Sequence, residues 1–366
     1  MSKTQSGTLL IADITGYTFF LSESELEHAQ EILETLLEIL IKETRPPLII
    51  SRTAGDAVIS YAIGNLEIQG QTFFELLEHI YLEFRQTIEL MVLNNRCNCA
   101  ACANISNLDL KFFVHYGVFG IQKLGGHDEL VGSDVNLIHR LLKNHIIEAT
   151  GIRAYAVLTA AAVDALGLSE IAASMVPHQE AYEHLGQVDL FVHDMAPKWK
   201  AYRESNYVDI PPDEVLVSVE REFLLPQHML WDVLTQPKYR SILMGAISQT
   251  INNKQEGRIA PGTEIHCDHG KSSTLQRIRT WRPFEMMVSE DNVPFPRASC
   301  LSRFRLTPTT SGTCLQLSVG SSRGSFVNRT MLTVMIRRTL PKSFESSLDQ
   351  LNQQLIADGL IPNPVV

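Results

Sequence analysis

The stretch that most constrains this chain is Leu9 to Thr18, LLIADITGYT, an apolar run that ends in one aspartate and a glycine turn. Leu9, Leu10, Ile11 and Ala12 suit a buried central strand, which leaves Asp13 at its mouth beside backbone N–H groups freed by the turn over Ile14 to Thr18. A carboxylate next to such amides is chemistry that can hold a metal ion and its phosphate together.

At 366 residues the chain predicts about two domains, at roughly 100 to 200 residues each. Its 45% hydrophobic and 20% charged content is that of a folded globular protein and excludes a largely disordered chain. A net charge of −10 argues against a general nucleic-acid binder, which needs a basic surface, and the local RIRTWR at Arg277 to Arg282 does not overturn that. The opening MSKTQSG lacks the basic-then-apolar layout of a signal peptide, and no run approaches 18 apolar residues, so a cytoplasmic protein without a membrane span is expected. Six cysteines, three clustered and three dispersed, are a pattern unlike a disulfide framework.

After the first strand, Leu26, Ala29, Leu33, Leu36 and Leu40 share a face of a helix over Glu23 to Thr44, with Ser22 as its N-cap. Pro46 and Pro47 stop it. LIIS at Leu48 and AVISYA at Ala57 then predict a hairpin with Asp56 at its turn. A second helix over Thr72 to Leu93, a strand at Leu110 to Gly120, a helix from Ser133 to Lys143, a strand near Arg153 and a hairpin ending at Asp194 complete the first half. That order is α+β, with helices covering one face of a mostly antiparallel sheet. Pro197, Pro211 and Pro212 among charged residues mark a boundary, giving domains 1–196 and 214–366 and a linker at 197–213. The second half predicts a strand, short helices, an antiparallel meander and a closing helix entered through Pro341, with Phe344, Leu348, Leu351 and Leu355 on one face.

LLIADITGYT, SRTAGDAVISYA at Ser51 to Ala62 and VGSDVNLIHRLLK at Val131 to Lys143 together resemble the catalytic domain of class III adenylate and guanylate cyclases, over roughly the first half of the chain. The resemblance implies a ferredoxin-like fold with an antiparallel sheet and helices. It also implies conversion of ATP, with GTP as the alternative, to a 3′,5′-cyclic nucleotide and pyrophosphate. Asp13 and Asp56 would bind two Mg²⁺ or Mn²⁺ ions together with the Ile14 backbone. Ile14, Gly16, Tyr17 and Thr18 would offer amides to the β- and γ-phosphates. Asn136 and Arg140, four apart and on one helical face, would orient the ribose and neutralise charge on the α-phosphate. Counting from Asp56 and Asn136 puts the base-reading pair at Arg52 and Glu129, which keep the charges of an adenylate pair. His139 replaces a usually small residue, and the triphosphate lysine of the last hairpin has no match, Gln187 and Asp189 standing there instead. Because the family's site forms between two subunits, a head-to-tail homodimer is implied. If the missing lysine and altered base pair abolish turnover, the fold would serve as a nucleotide- or ligand-sensing module.

CNCAAC brings Cys97, Cys99 and Cys102 within six residues, a set that suits a soft ion such as Zn²⁺ with His115, His127 or a residue of a partner subunit as fourth ligand; a redox-responsive loop and coincidence are the alternatives. The second half resembles, in pattern alone, the helix-grip fold of START-like and polyketide-cyclase-like (SRPBCC) proteins, which implies a hydrophobic small-molecule ligand and a regulatory role. There EIHCDHG offers His266, Asp268 and His269 as a ligand-facing patch, a metal site or an exposed strand face, the last being favoured. Arg277 with Arg279 and Arg303 with Arg305 would read an acidic head group if they point inward, and are ordinary surface if they point outward.

Overall fold

The computed structural model describes residues 4–22, 25–68, 70–94, 100–124, 127–204, 207–270 and 272–362. Its contacts divide the chain into two compact units, Met1–Ser205 and Asn206–Val366. Both are α+β with sheets rich in antiparallel pairs.

The first unit runs β1 (Thr4–Thr15), α1 (Tyr17–Ser22), α2 (Leu26–Thr44), β2 (Ile49–Ala54), β3 (Ala57–Ile63), α3 (Gly70–Asn94) and α4 (Ala100–Asn104). It continues through β4 (Asp109–Leu124), β5 (His127–Val131), α5 (Ser133–Leu141), α6 (Ile146–Thr150), β6 (Tyr155–Thr159), α7 (Ala160–Ala165) and α8 (Ser169–Ala172). It closes with β7 (Val176–Tyr182), β8 (Gly186–Asp194) and α9 (Ala196–Glu204). The sheet order is β2-β3-β1-β4-β6-β8-β7, with β5 pairing β4, and β4 with β6 is a parallel pair. β1 is therefore central, as a strand buried on both faces requires.

Leu9 and Ile11 of β1 pack with Phe113, Val157 and the α5 residues Val135, Ile138 and Leu141. Leu10 and Ala12, whose side chains point the other way, are equally buried. α2 and α3 contact β3 and β4, yet none of their residues joins the α5 cluster. Helices thus lie on both faces, not one as the element order had suggested. Apolar strands such as AVISYA had already carried that signal, because alternation is lost when both faces are covered.

Two boundaries differ from the sequence expectation. Ser22 ends the separate helix α1, its hydroxyl donating to Phe19 O at 2.9 Å, and α2 starts at Leu26 without a side-chain cap. Of the stretch 197–213 expected as linker, residues 197–204 belong to the helix Ala196–Glu204. Lys198 donates to the buried Glu78 carboxylate of α3 at 2.5 Å, and Trp199 lies beside Arg85, so a proline-marked segment docks by its charges and one aromatic ring.

The second unit runs β9 (Val215–Phe223), α10 (Gln227–Thr235), α11 (Pro237–Met244), β10 (Ser248–Asn252), β11 (Glu264–Asp268), β12 (Ser273–Arg282) and β13 (Met286–Val293). β14 (Ala298–Pro308), β15 (Thr313–Gly320), β16 (Arg323–Gly324) and α12 (Phe326–Ala357) follow. Its antiparallel sheet has the order β10-β11-β12-β13-β14-β15-β9, with α12 against β9 and β14. α12 starts 15 residues before Pro341, which sits inside the helix rather than in its first turn. The ring removes one i→i−4 bond there.

Candidate functional site

Asp13 stands at the C-terminal end of β1, opposite Ala57 on β3 and Lys111 on β4. Asp56 precedes Ala57 in the β2–β3 turn, made tight by Gly55 at φ +64°. Ile14 N–H donates to Asp56 O at 3.1 Å and ties the two aspartates to one rim. Burial and the Asp56 charge push the Asp13 carboxyl up to about 6, with Lys111 opposing; burial also raises Asp56. Burial lowers Lys111, which the Asp13 charge partly offsets. Two neighbouring carboxylates, Asp13 disfavoured as an anion by burial and by Asp56 and Asp56 by burial, form a donor set of the kind a hard divalent cation would relieve.

In the chain as described the Ile14 amide is engaged with Asp56. Gly16, at φ +89°, turns the chain into α1, and Tyr17 and Thr18 lie in that helix's first turn, whose amides have no acceptor within the helix. A Cβ at Gly16 would meet Asn107 O at 3.2 Å.

The second set is carried by α5. Val135, Ile138 and Leu141 fix the buried face, so Asn136 and Arg140 point to solvent. The helix is pinned at its start: Asp134 Oδ2 accepts Val118 N–H at 2.5 Å, and Gly117 leaves the room, since a Cβ there would come within 2.5 Å of the Asp134 carboxyl. Arg52 of β2 and Glu129 of β5, 77 positions apart, form an ion pair at 2.9 Å. Arg52, Asn136, His139, Arg140 and Lys143 line a cleft of about 590 Å³, closed by the turn at Glu183, His184 and Leu185. Burial and the Arg52 charge lower His139.

The residues thus fall into two groups. Asp13 and Asp56 sit together, and Arg52, Asn136 and Arg140 sit together, but neither aspartate lines the cleft. Lys143 and His184 escaped the sequence reading. Lys143 follows Asn136 and Arg140 at the i, i+4, i+7 spacing of one helical face, a signal that was present; His184 needed the β7–β8 turn to be brought across the sheet. Lys111 needed the β1–β4 register. The β7–β8 hairpin supplies no lysine: Gln187 donates to Gln179, which donates to Asp189 at 2.7 Å.

Cys97 and Cys99 lie outside the described residues, as does the His127 side chain; Cys102 is on α4. His115 has Nδ1 2.9 Å from Thr159 Oγ1 and Nε2 3.5 Å from Asp134 Oδ1. Among the described residues no group of three or more histidine, cysteine or acidic side chains is placed to hold a metal.

In the second unit His266 and Asp268 are on an exposed strand face, and His269 Nδ1 bonds Gly245 O at 3.0 Å. Arg277 pairs with Glu264, and Arg303 and Arg305 with Asp209. Instead it is Arg240 of α11 that reaches the interior. It donates to Gln276 Oε1 at 3.1 Å and lies over the Phe304 ring. Gln276, Ser289 and Ser302 in turn donate to the buried Asp291 carboxylate.

Residues 33–150 match the model of a family described as "Protein of unknown function (DUF2652)". That span includes Arg52, Asp56, Glu129, Asn136 and Arg140 and leaves out Asp13. The chain is 31% identical over 119 residues to "Uncharacterized protein Rv2561/Rv2562" of Mycobacterium tuberculosis, covering 31% of this chain and 54% of that protein. It therefore spans about half the length of this curated relative. Solved structures that overlap the first half include the guanylyl cyclase Cya2, at 12% identity, 52% of this chain, 92% of that one and TM-score 0.39. The adenylyl cyclase CyaB from P. aeruginosa overlaps at 13% identity, 52% and 95%, with TM-score 0.39. Protein MLL2253 from Mesorhizobium loti overlaps 38% of this chain and 96% of its own at 21% identity, TM-score 0.31. No described helix is long and apolar enough to cross a membrane.

Proposed function

We propose that the first unit is a class III nucleotidyl cyclase-like catalytic domain acting as a head-to-tail homodimer, converting ATP, or GTP as the alternative, to a 3′,5′-cyclic nucleotide and pyrophosphate. The observation that carries this reading is the split of the residues into two complementary sets. One is an anionic rim of Asp13 and Asp56; the other is a cationic cleft with Asn136, Arg140 and the Arg52–Glu129 pair. A head-to-tail pair would present each set to the other, twice.

Asp13 and Asp56 fit Mg²⁺ or Mn²⁺, two per site, and such ions when bound supply Lewis acidity at the ribose 3′-hydroxyl and the triphosphate. Arg140 would neutralise charge growing on the α-phosphate and Asn136 would orient the ribose, one well-placed donor being worth roughly 10²–10³ in rate. Lys143, one turn beyond Arg140, brings a cation to the same cleft that the β7–β8 hairpin does not. Arg52, held by Glu129, would present its remaining N–H groups to the base edge.

A second reading, a nucleotide sensor without turnover, draws on the Gln187–Gln179–Asp189 chain that occupies the hairpin where the family's lysine would stand. We propose for the second unit a START-like module that binds a hydrophobic small molecule and regulates the first. A zinc site at Cys97, Cys99 and Cys102 is a separate proposal; zinc below a tenth of an equivalent in protein purified without chelator would sink it. The deciding experiment is mass-spectrometric detection of cyclic nucleotide with Mn²⁺ or Mg²⁺ and either ATP or GTP, beside Asp13→Ala and Arg140→Ala. Product that both substitutions abolish supports the cyclase. Nucleotide binding without product under either metal supports the sensor.

A further inference from the structure

Before Pro341, α12 buries Leu332 and Ile336 and exposes much of the rest of its apolar content. Val327, Met331 and Val334 fall at the i, i+4, i+7 spacing of one face, and Arg338 continues it. Phe326 is 75% exposed and Val327 71%. The β13–β14 loop joins them: Arg323 pairs with Ser299, Gly324 with Ala298, and Asn328 donates to Arg297 O at 3.1 Å. That loop carries Phe295, 73% exposed, between Pro294 and Pro296. A contiguous apolar surface of this kind marks a contact site.

Charge selects the occupant. From Arg323 to Phe344 the sequence holds Arg323, Arg329, Arg337, Arg338 and Lys342 and no carboxylate, in a chain whose net charge is −10. The Arg329 guanidinium lies 5.9 Å from the Phe326 ring centre, so cation and apolar tip are presented together. A second copy docking by the same patch would set these cations against one another. An anionic bilayer, in contrast, accepts apolar tips below its head groups and attracts the cations around them.

We propose that the N-terminal half of α12, with the loop carrying Phe295, is a docking surface for an anionic membrane. α12 lies on the bilayer rather than across it: at 32 residues it is long enough to span, but it is not apolar enough. This surface belongs to the second unit and holds whether or not the first turns over nucleotide.

The test is flotation of the full chain with vesicles of phosphatidylcholine alone or with about 30% phosphatidylserine, at low and high salt. Flotation with the anionic vesicles only, weakened by salt, is expected. Arg337→Gln with Arg338→Gln should weaken it about 20- to 30-fold, at about fivefold for each cation lost from the surface. Phe295→Ser with Phe326→Ser should abolish it at the same lipid concentration, and thermal melts should be unchanged because all four side chains are exposed. Absence of flotation, equal flotation with neutral vesicles, or flotation indifferent to both variants would overturn the proposal. So would a patch variant that dissociates a dimer while vesicles are ignored, which would make this a self-association surface.

Discussion

Asp13 is a residue held against its own folding preference. Burial and Asp56 raise its carboxyl to about 6, above the ordinary value, so the folded chain favours the protonated form. For a raised carboxyl the penalty is absent below about pH 4, grows as pH rises toward 6 and is complete above it. Asp13→Asn removes the penalty, so it should stabilise the protein by on the order of 2–3 kcal/mol at pH 8 and not at all at pH 3.5. Denaturant unfolding of both proteins at the two pH values checks this; an equal difference at both would mean that burial is not what Asp13 resists. Divalent cation should close the gap at pH 8, because it binds the ionised pair that the variant lacks. Lys143 makes the complementary case. It is exposed, and Lys143→Ala should leave stability within about 0.5 kcal/mol while weakening nucleoside triphosphate binding by about tenfold, read by titration calorimetry.

At the scale of elements, α5 positions the cationic set because Asp134 anchors its first turn to β4. Asp134→Ala should cost about 1 kcal/mol, since Val118 N–H exchanges its carboxylate acceptor for water, and should lower turnover more than nucleotide affinity by loosening Asn136 and Arg140. Thermal melts and steady-state kinetics separate the two effects. The helix itself was legible in the sequence, since Val135, Ile138 and Leu141 share a face and leave Asn136 and Arg140 on the other. So were the β2–β3 turn and the end of β1, because each is written in adjacent residues. What adjacent residues do not encode is register. Lys111 meets Asp13, Arg52 meets Glu129 and Arg240 meets Gln276 through strand pairings or packing across 36 to 98 positions. The inward arginine of the second unit was thus sought on β12 and β14 and found on α11. Pro341 misled for a different reason: proline favours a first turn, but flanking packing by Ile336 and Phe344 carries α12 through it.

At the scale of the molecule, the two units make different demands. The second buries a polar network in which the Asp291 carboxylate accepts from Gln276, Ser289 and Ser302, so the cost of burying it is offset by three donors. The first keeps an anionic rim apart from a cationic cleft, and in the proposed dimer two chains complete each other. The most direct measurement is complementation: mix Asp13→Ala with Arg140→Ala, each inactive alone, and assay cyclic nucleotide by mass spectrometry. A shared site predicts recovered product, because one of the two sites in a mixed dimer keeps both Asp13 and Arg140, and about a quarter of wild-type turnover follows from random pairing of equal chains. Wild-type activity with no recovery in the mixture would contradict it and place the whole reaction within one chain.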